Sequence, residues 1–146
     1  PQVERELDRI LHHVTEGIRK HPRAILGHIC NFPVNHGFVP PKMLEMIDPI
    51  LEALQSVNGI LELHHNFYSI IMNPTEEPAK YKECLPRTAF YRELTQRIHK
   101  YSIKFSLGSD AHRLESLLSK AQWQEFLAKI NIGESQLAVP TDFQSE

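Results

Sequence analysis

An aspartate and a histidine two positions apart follow a short apolar stretch in the second half of the chain. The stretch runs from Ile103 to Leu107, Gly108 breaks it, and Asp110 and His112 come next. An apolar run of this length that ends at a glycine is typical of a strand followed by a loop. At this spacing in an extended chain, a carboxylate oxygen and an imidazole nitrogen can reach one divalent ion or two neighbouring ions. The alternative is that Asp110 caps a following helix and that His112 is merely polar.

Two earlier apolar stretches also carry side chains that can bind a metal. Strands are predicted near 24–29, with His28 at the far end, and near 60–64, with Glu62 inside it. A buried carboxylate needs a cation, a metal or a hydrogen-bonded partner to offset its loss of hydration. His28 taken alone is more typical of a core histidine than of a ligand. A polar cluster closes the second stretch: His64, His65 and Asn66.

Each predicted strand follows a segment with helical periodicity. The three helical segments are roughly 3–20, 41–54 and 87–101, and Pro49 should kink or divide the second. Alternating helices and strands predict a parallel sheet, in which the carboxyl ends of the strands meet at one edge. We therefore expect the three strand ends to face one cavity.

The segments between these elements are rich in proline and polar residues. Residues 31–40 and 67–86 are predicted to be loops, and His36 is predicted to be an exposed loop histidine. After His112 we expect a short helix and then an amphipathic helix that Gly133 ends. The polar residues 141–146 are predicted to be frayed.

The composition is that of an ordinary globular domain. The 146 residues are 41% hydrophobic and 23% charged, which suits a single domain with a core. A formal net charge of -2, without a run of basic residues, gives no strong signal for nucleic acid or an anionic membrane. No apolar run approaches the roughly 20 residues of a membrane helix. Two widely separated cysteines predict a reduced, cytoplasmic protein.

Three short motifs occur in a defined order along the chain: Leu26-Gly27-His28, then Leu61-Glu62-Leu63, then Leu107-Gly108-Ser109-Asp110-Ala111-His112. In order and spacing they resemble the later motifs of the PHP superfamily, the polymerase and histidinol phosphatase domain. The resemblance covers the chain from about Ala24 to Val139. Family members are distorted (β/α)7 barrels that hold two or three divalent ions, often zinc, manganese or iron, and hydrolyse phosphate esters. The resemblance therefore implies an α/β fold with parallel strands and flanking helices.

The resemblance also implies roles for individual residues. His28, Asp110 and His112 would be metal ligands, and Asp110 and His112 would be the catalytic residues. Glu62 resembles a supporting residue of the pocket, and the strand that carries it is commonly followed by asparagines in the family. The supporting pocket would consist of four residues: Glu62, His64, His65 and Asn66.

The chain departs from the family upstream of these motifs. PHP proteins begin with a His-x-His motif and add a further histidine and a glutamate, whereas no His-x-His occurs in this chain. The resemblance thus implies that residues 1–146 are one partial domain, the later portion of the barrel. We expect the parent protein to be a metal-dependent hydrolase of small phosphorylated substrates, histidinol-phosphatase-like or related, and this chain alone to be inactive. Its partner would be the missing N-terminal half of the domain, or a second copy through self-association.

Two other interpretations are open on the sequence. An amidohydrolase-type barrel also places an aspartate at a late strand end, where it acts as a base for attack on a carbon centre. A non-catalytic module would bind one metal weakly or none, and would serve as a structural or partner-binding piece. The full reading frame and the metal content of the chain would distinguish these interpretations.

Overall fold

A three-stranded parallel sheet lies at the centre of the fold. The structure is a computed structural model, and it describes residues 2–75, 77–109 and 113–143. Three strands lie side by side in chain order: β1 (Ile25–Leu26), β2 (Ile60–His64) and β3 (Lys104–Gly108). The predicted α/β class with parallel strands is therefore confirmed. Within the described residues the sheet is open, and no barrel is closed.

Helices precede, connect and follow the three strands along the chain. The described residues form these α-helices: α1 (Gln2–Arg19), α2 (Asn31–Asn35), α3 (Pro41–Glu45), α4 (Ile47–Ser56), α5 (His65–Met72), α6 (Arg87–Arg97) and α7 (Lys120–Lys129). α1 packs on α4, and the apolar stripe of α4 is fully buried at Leu51 and Leu54. Across the described part of the chain, no helix is both long and apolar enough to cross a membrane.

The two faces of the sheet are covered unequally. Side chains alternate between faces along a strand, and residues paired across parallel strands share a face. One face belongs to the hydrophobic core, and its central residues are at most 1% exposed: Leu61, Leu63 and Phe105. On the other face, the pairing aligns Ile25 with Ile60 and Ile60 with Lys104. Ile60 is buried, but Ile25 is 53% exposed and Lys104 is exposed as well. The described residues therefore cover this second face only in part.

β1 is shorter than the strand predicted at 24–29. Ladder pairing stops after Leu26 because the next residues leave the extended conformation: His28 has a φ of 54° and Cys30 a φ of 51°. Both angles lie in the left-handed region, which is incompatible with a strand. The loop predicted at 31–40 is also wrong in its first half, since α2 begins at Asn31 directly after this bend.

The helix predicted at 41–54 is divided, but not at Pro49. The break falls at Met46, between α3 and α4, and Pro49 lies in the first turn of α4. Backbone N–H groups of a first turn have no intrahelical acceptor, so a proline there removes no helical hydrogen bond.

The loop predicted at 67–86 is wrong for its first six residues. β2 runs straight into α5, and Phe67, Tyr68 and Ile70 of this helix are buried. The prolines at 74, 78 and 86 come after the helix, and the described residues from 73 to 86 contain no helix or strand. These prolines prevent regular structure only after α5 has ended, so the loop was predicted to begin too early.

The helix predicted at 87–101 is α6 followed by a 3-10 turn at Ile98–Lys100. Two expectations nearer the C-terminus are wrong. α7 ends at Lys129, four residues before the predicted end at Gly133, and Asn131 has a left-handed φ of 59°. The short helix expected after His112 is a 3-10 turn, Leu114–Ser116.

The polar tail predicted to be frayed is ordered in its first part. Pro140–Phe143 form a 3-10 turn, and the Lys104 ammonium donates a hydrogen bond to the Asp142 carboxylate at 2.8 Å. This ion pair and a hydrogen bond from the Val139 N–H hold the pKa of Asp142 below its ordinary value. Residues 144–146 lie outside the described residues.

Candidate functional site

The carboxyl ends of the strands lie next to one another at one edge of the sheet. The pairing of Leu26 with Leu61 brings Gly27 and His28 beside the end of β2, and His64 pairs with Gly108 at the end of β3. Carboxyl ends of parallel strands are where ligands bind in α/β proteins. Two of the predicted ligands, Asp110 and His112, follow β3 in sequence and lie outside the described residues.

The carboxylate of Glu62 lies across the backbone of two glycines. A Cβ atom on Gly27 would stand 2.7 Å from Glu62 Oε2, and a Cβ atom on Gly108 would overlap Glu62 Oε1. Any larger residue at either position would therefore have to displace the carboxylate. The two glycines make the space that allows a half-buried charge to lie at the centre of the sheet edge.

The imidazole of His28 lies close to this carboxylate. Its Nε2 atom is 3.7 Å from Glu62 Oε2, and the two side chains are 39% and 20% exposed. This distance exceeds an ordinary hydrogen bond. It does suit two donor atoms that each bind one ion at roughly 2.0 to 2.2 Å.

His64 is buried directly behind His28. It is 1% exposed, and its ring is stacked on the His28 ring with centroids 5.2 Å apart and an interplanar angle of 4°. The ring of Tyr91, on α6, contacts His64 edge-on at 6.0 Å. His64 therefore lies between the core and the sheet edge.

The other predicted pocket residues lie in the first turn of α5. His65 contacts its own helix, with Nε2 3.3 Å from Ser69 Oγ and its ring 6.0 Å from that of Tyr68. Asn66 lines a polar cleft of about 270 Å³ that Arg87 borders from α6. The contacts described for His65 are therefore with its own helix.

His36 is exposed, as predicted, and lines a second polar cleft. This cleft has a volume of about 300 Å³ and also contains Lys80 and Arg87. Because Arg87 and Glu77 border both clefts, the polar surface continues from α5 to the loop after α2. The guanidinium of Arg87 is 3.2 Å from the Glu77 carboxylate, so this surface holds both signs of charge.

Tyr91 and Cys30 adjoin the site and were not selected from the sequence. The Tyr91 hydroxyl is buried and has no hydrogen-bond partner among the described residues. Burial raises the pKa of Tyr91, and the nearby Cys30 adds to this effect. Burial also raises the pKa of the Cys30 thiol to about 11. Both groups are therefore neutral at pH 7. The adjacent aromatic pair Phe90-Tyr91 was the signal of a buried helix face that could have indicated Tyr91.

Few side chains among the described residues could bind a metal at the carboxyl ends of the strands. Across residues 2–75, 77–109 and 113–143, no group of three or more His, Cys, Asp or Glu side chains is arranged to hold a metal ion. His28 and Glu62 supply one imidazole nitrogen and one carboxylate oxygen, a donor pair that suits zinc, manganese or iron. The donor chemistry of this pair thus fits a divalent ion, and Asp110 and His112 would be the further donors.

A larger polar cavity lies at the opposite edge of the sheet. It has a volume of about 760 Å³ and is lined by residues that precede the strands, among them Arg23, Gly59 and Ser102. Its position at the amino ends of the strands separates it from His28 and Glu62.

No family model, no curated protein and no solved structure matches this chain. The resemblance to the PHP superfamily is therefore carried by the residues of the three motifs alone.

Proposed function

We propose that the protein is a metal-dependent hydrolase of phosphate esters, and that this chain supplies the later portion of its distorted (β/α)7 barrel. The proposal is carried by one observation: the Glu62 carboxylate lies over Gly27 and Gly108, 3.7 Å from His28, at the edge where ligands bind in α/β proteins. Asp110 and His112 follow Gly108 in sequence by two and four positions. The separated cysteines support a cytoplasmic location.

Each side chain has a defined task in this proposal. In place of the supporting role that the resemblance implies, the Glu62 carboxylate would bind the metal together with His28 Nε2. Asp110 and His112, which follow β3 in sequence, would supply the further donors. Zinc, manganese or iron bound there, two or three ions in a complete site, would lower the pKa of a water and offset the charge of the phosphate oxygens. His64 excludes water from the inner side, because it fills the space between His28 and the core.

The uneven cover of the sheet supports the partial barrel. Parallel sheets are ordinarily buried on both faces. Here Ile25 is 53% exposed, and β1 is an edge strand that pairs with β2 alone among the described residues. In a barrel, further strands beside β1 would curve round and cover this face. They would also carry the upstream His-x-His motif and the further histidine that PHP proteins have. The expected partner is therefore the preceding part of the same domain.

Melting curves with and without zinc or manganese test the site. An ion that binds only the folded protein stabilises it by mass action, by about 2.7 kcal/mol at a hundred times its dissociation constant. We expect a metal-dependent rise in melting temperature for the wild type, and little or no rise for Asp110→Asn or His28→Asn. His12→Asn is the matched control, because His12 is exposed on α1. Equal metal responses in the wild type and Asp110→Asn would contradict the proposal.

Turnover distinguishes the proposed hydrolase from the alternatives. This chain alone should not hydrolyse a simple phosphate ester, whereas its co-expression with the preceding coding sequence should restore hydrolysis. A restored activity on amides with none on phosphate esters would instead indicate an amidohydrolase.

A further inference from the structure

The partly exposed ring of His28 is stacked on the buried ring of His64. The His28 side chain is 39% exposed, and its backbone bends away from the strand with a φ of 54°. An exposed side chain on such a bend has several rotamers open to it. His64, by contrast, is 1% exposed, and the two rings are stacked within 4° of parallel. The buried ring therefore offers a fixed surface against which the exposed ring can be oriented.

A series of aromatic contacts connects His64 to the centre of the core. The Tyr91 ring meets His64 at 6.0 Å and is stacked on Phe67 at 5.2 Å, and Phe67 contacts Phe126 edge-on at 5.5 Å. These aromatic side chains are at most 1% exposed. They come from α5, α6 and α7, so three helices together fix the plane of the His64 ring. A close-packed interior gives such a ring little room to rotate.

Ring orientation matters because an imidazole nitrogen binds an ion in the plane of its ring. Fixing the plane of His28 therefore fixes where Nε2 can bind, and Glu62 Oε2 lies 3.7 Å from that nitrogen. Stacked rings lie in separate, parallel planes, so the nitrogen lone pairs of His28 and His64 do not converge on one ion. His64 is consequently placed to orient His28, and it is poorly placed to share an ion with it.

We propose that His64 is a positioning residue that holds the His28 imidazole in its metal-binding orientation. This inference rests on the proposed metal site. It assigns to His64 a role that depends on its flat ring and on its burial. Preorganised ligands lose less freedom on binding, and residues that orient a ligand typically affect metal affinity by 10- to 100-fold when they are replaced.

Two substitutions separate the effect of the ring from that of the nitrogen atoms. His64→Phe keeps a flat ring in the buried space, whereas His64→Leu removes it. His65→Leu is the matched control, because the neighbouring His65 contacts α5 instead of His28. If His64→Leu does not fold by circular dichroism, His64→Met provides a flexible side chain of similar bulk.

The first readout needs no metal. The imidazole signals of His28 in a carbon–proton correlation spectrum, assigned with His28→Asn, report the ring that lies beside it. We expect His64→Phe to keep a single ring-shifted set of signals, and His64→Leu to move or broaden it. Unchanged His28 signals in His64→Leu would overturn the inference, whatever the outcome of the metal titrations.

The second readout is zinc affinity, titrated for each variant with His28→Asn as the baseline. We expect the wild type, His64→Phe and His65→Leu to bind zinc with similar affinity. His64→Leu should bind zinc roughly 10- to 100-fold more weakly. An equal loss in His64→Phe and His64→Leu would overturn positioning by the ring and would make His64 a ligand. If the wild type binds no more zinc than His28→Asn, the proposed metal function fails, while the spectra still decide whether the ring of His64 orients His28.

Discussion

Gly27 and Gly108 leave room for Glu62 because glycine has no Cβ atom. Neither Gly27 nor Gly108 has a φ in the left-handed region, so backbone conformation does not explain them. Their missing side chains provide the space that the carboxylate occupies. Glycine at these positions is therefore required by a neighbour on another strand, and not by the local turn.

Replacing Gly108 by alanine should destabilise the protein and displace Glu62. The added Cβ would overlap Glu62 Oε1, and overpacking of this kind costs about 1–3 kcal/mol. Urea unfolding of Gly108→Ala, Glu62→Ala and the double variant measures the coupling between the two positions. We expect the double variant to recover most of the loss, because the carboxylate that blocks the methyl group is then absent.

Gly133 provides the control for the Gly108 and Glu62 variants. Around Gly133 the nearest side-chain atoms are 3.9 Å from an added Cβ, and its φ of -86° suits any residue. Gly133→Ala should leave stability nearly unchanged. Additive losses in the Gly108 and Glu62 variants would show that the two side chains do not compete for the same space.

Among the elements, α4 and α6 are joined to the start of β3 through one carboxylate. Tyr101 donates a hydrogen bond to Asp48 Oδ1 at 2.7 Å, and Arg97 Nη1 donates to Asp48 Oδ2 at 2.8 Å. Asp48 belongs to α4 and Arg97 to α6, while Tyr101 comes three residues before β3 begins. Burial and the hydrogen bond to Asp48 raise the pKa of Tyr101 from its ordinary 10.0 to about 12.

This pKa gives a pH dependence with a definite sign. A raised pKa means that the folded protein keeps the Tyr101 proton at a pH where the unfolded chain loses it. The stabilisation is complete below pH 10.0 and is lost as pH rises towards about 12. We expect Tyr101→Phe to lower the free energy of unfolding by about 0.5–1.5 kcal/mol at pH 7 and to flatten its decline above pH 10.

The control for this prediction is Tyr81→Phe, since Tyr81 is 46% exposed. Urea unfolding between pH 7 and pH 11 provides the measurement. A parallel decline of stability with pH in the wild type and Tyr101→Phe would contradict the role given to the Tyr101 hydroxyl.

Strands and long helices were predictable from the sequence because their apolar periodicity is local. β2, β3 and α1 lie within one or two residues of the predicted ranges. The end of β1 was not predictable, because left-handed conformations such as those of His28 and Cys30 are uncommon for any residue other than glycine. Such angles are imposed by the packing around them.

The side chains that could bind a metal were predictable from the sequence, but the side chains that hold them in place were not. His28 and Glu62 could be selected because polar side chains at strand ends are visible in sequence. The stacking of His28 on His64, and of Tyr91 on Phe67, depends on where α5 and α6 meet the sheet. No spacing in the sequence encodes a contact between residues that lie so far apart along the chain.

At the scale of the whole molecule, the outer edge of β1, which pairs with no strand among the described residues, should cause this chain to self-associate. Exposed strand edges with apolar side chains pair readily with other chains, and Ile25 is 53% exposed on such an edge. Ile25→Lys should suppress the association, because a charge on an edge strand opposes pairing. Val139→Lys, at a residue 49% exposed and distant in sequence, is the control. Light scattering that gives a stable monomer for the wild type would contradict this prediction.

The far edge of the same sheet is already occupied by the chain itself. Leu137 forms a parallel bridge to Phe105, and the Ala138 N–H donates to the Phe105 carbonyl at 2.8 Å, so β3 is blocked along part of its length. Because β3 is partly blocked, β1 is the more accessible edge among the described residues, and this disfavours the successive addition of copies. Two molecules that pair through β1 about a two-fold axis consume both free edges, which closes the assembly at a dimer. The association of this chain should therefore saturate with concentration, and it should not continue into filaments.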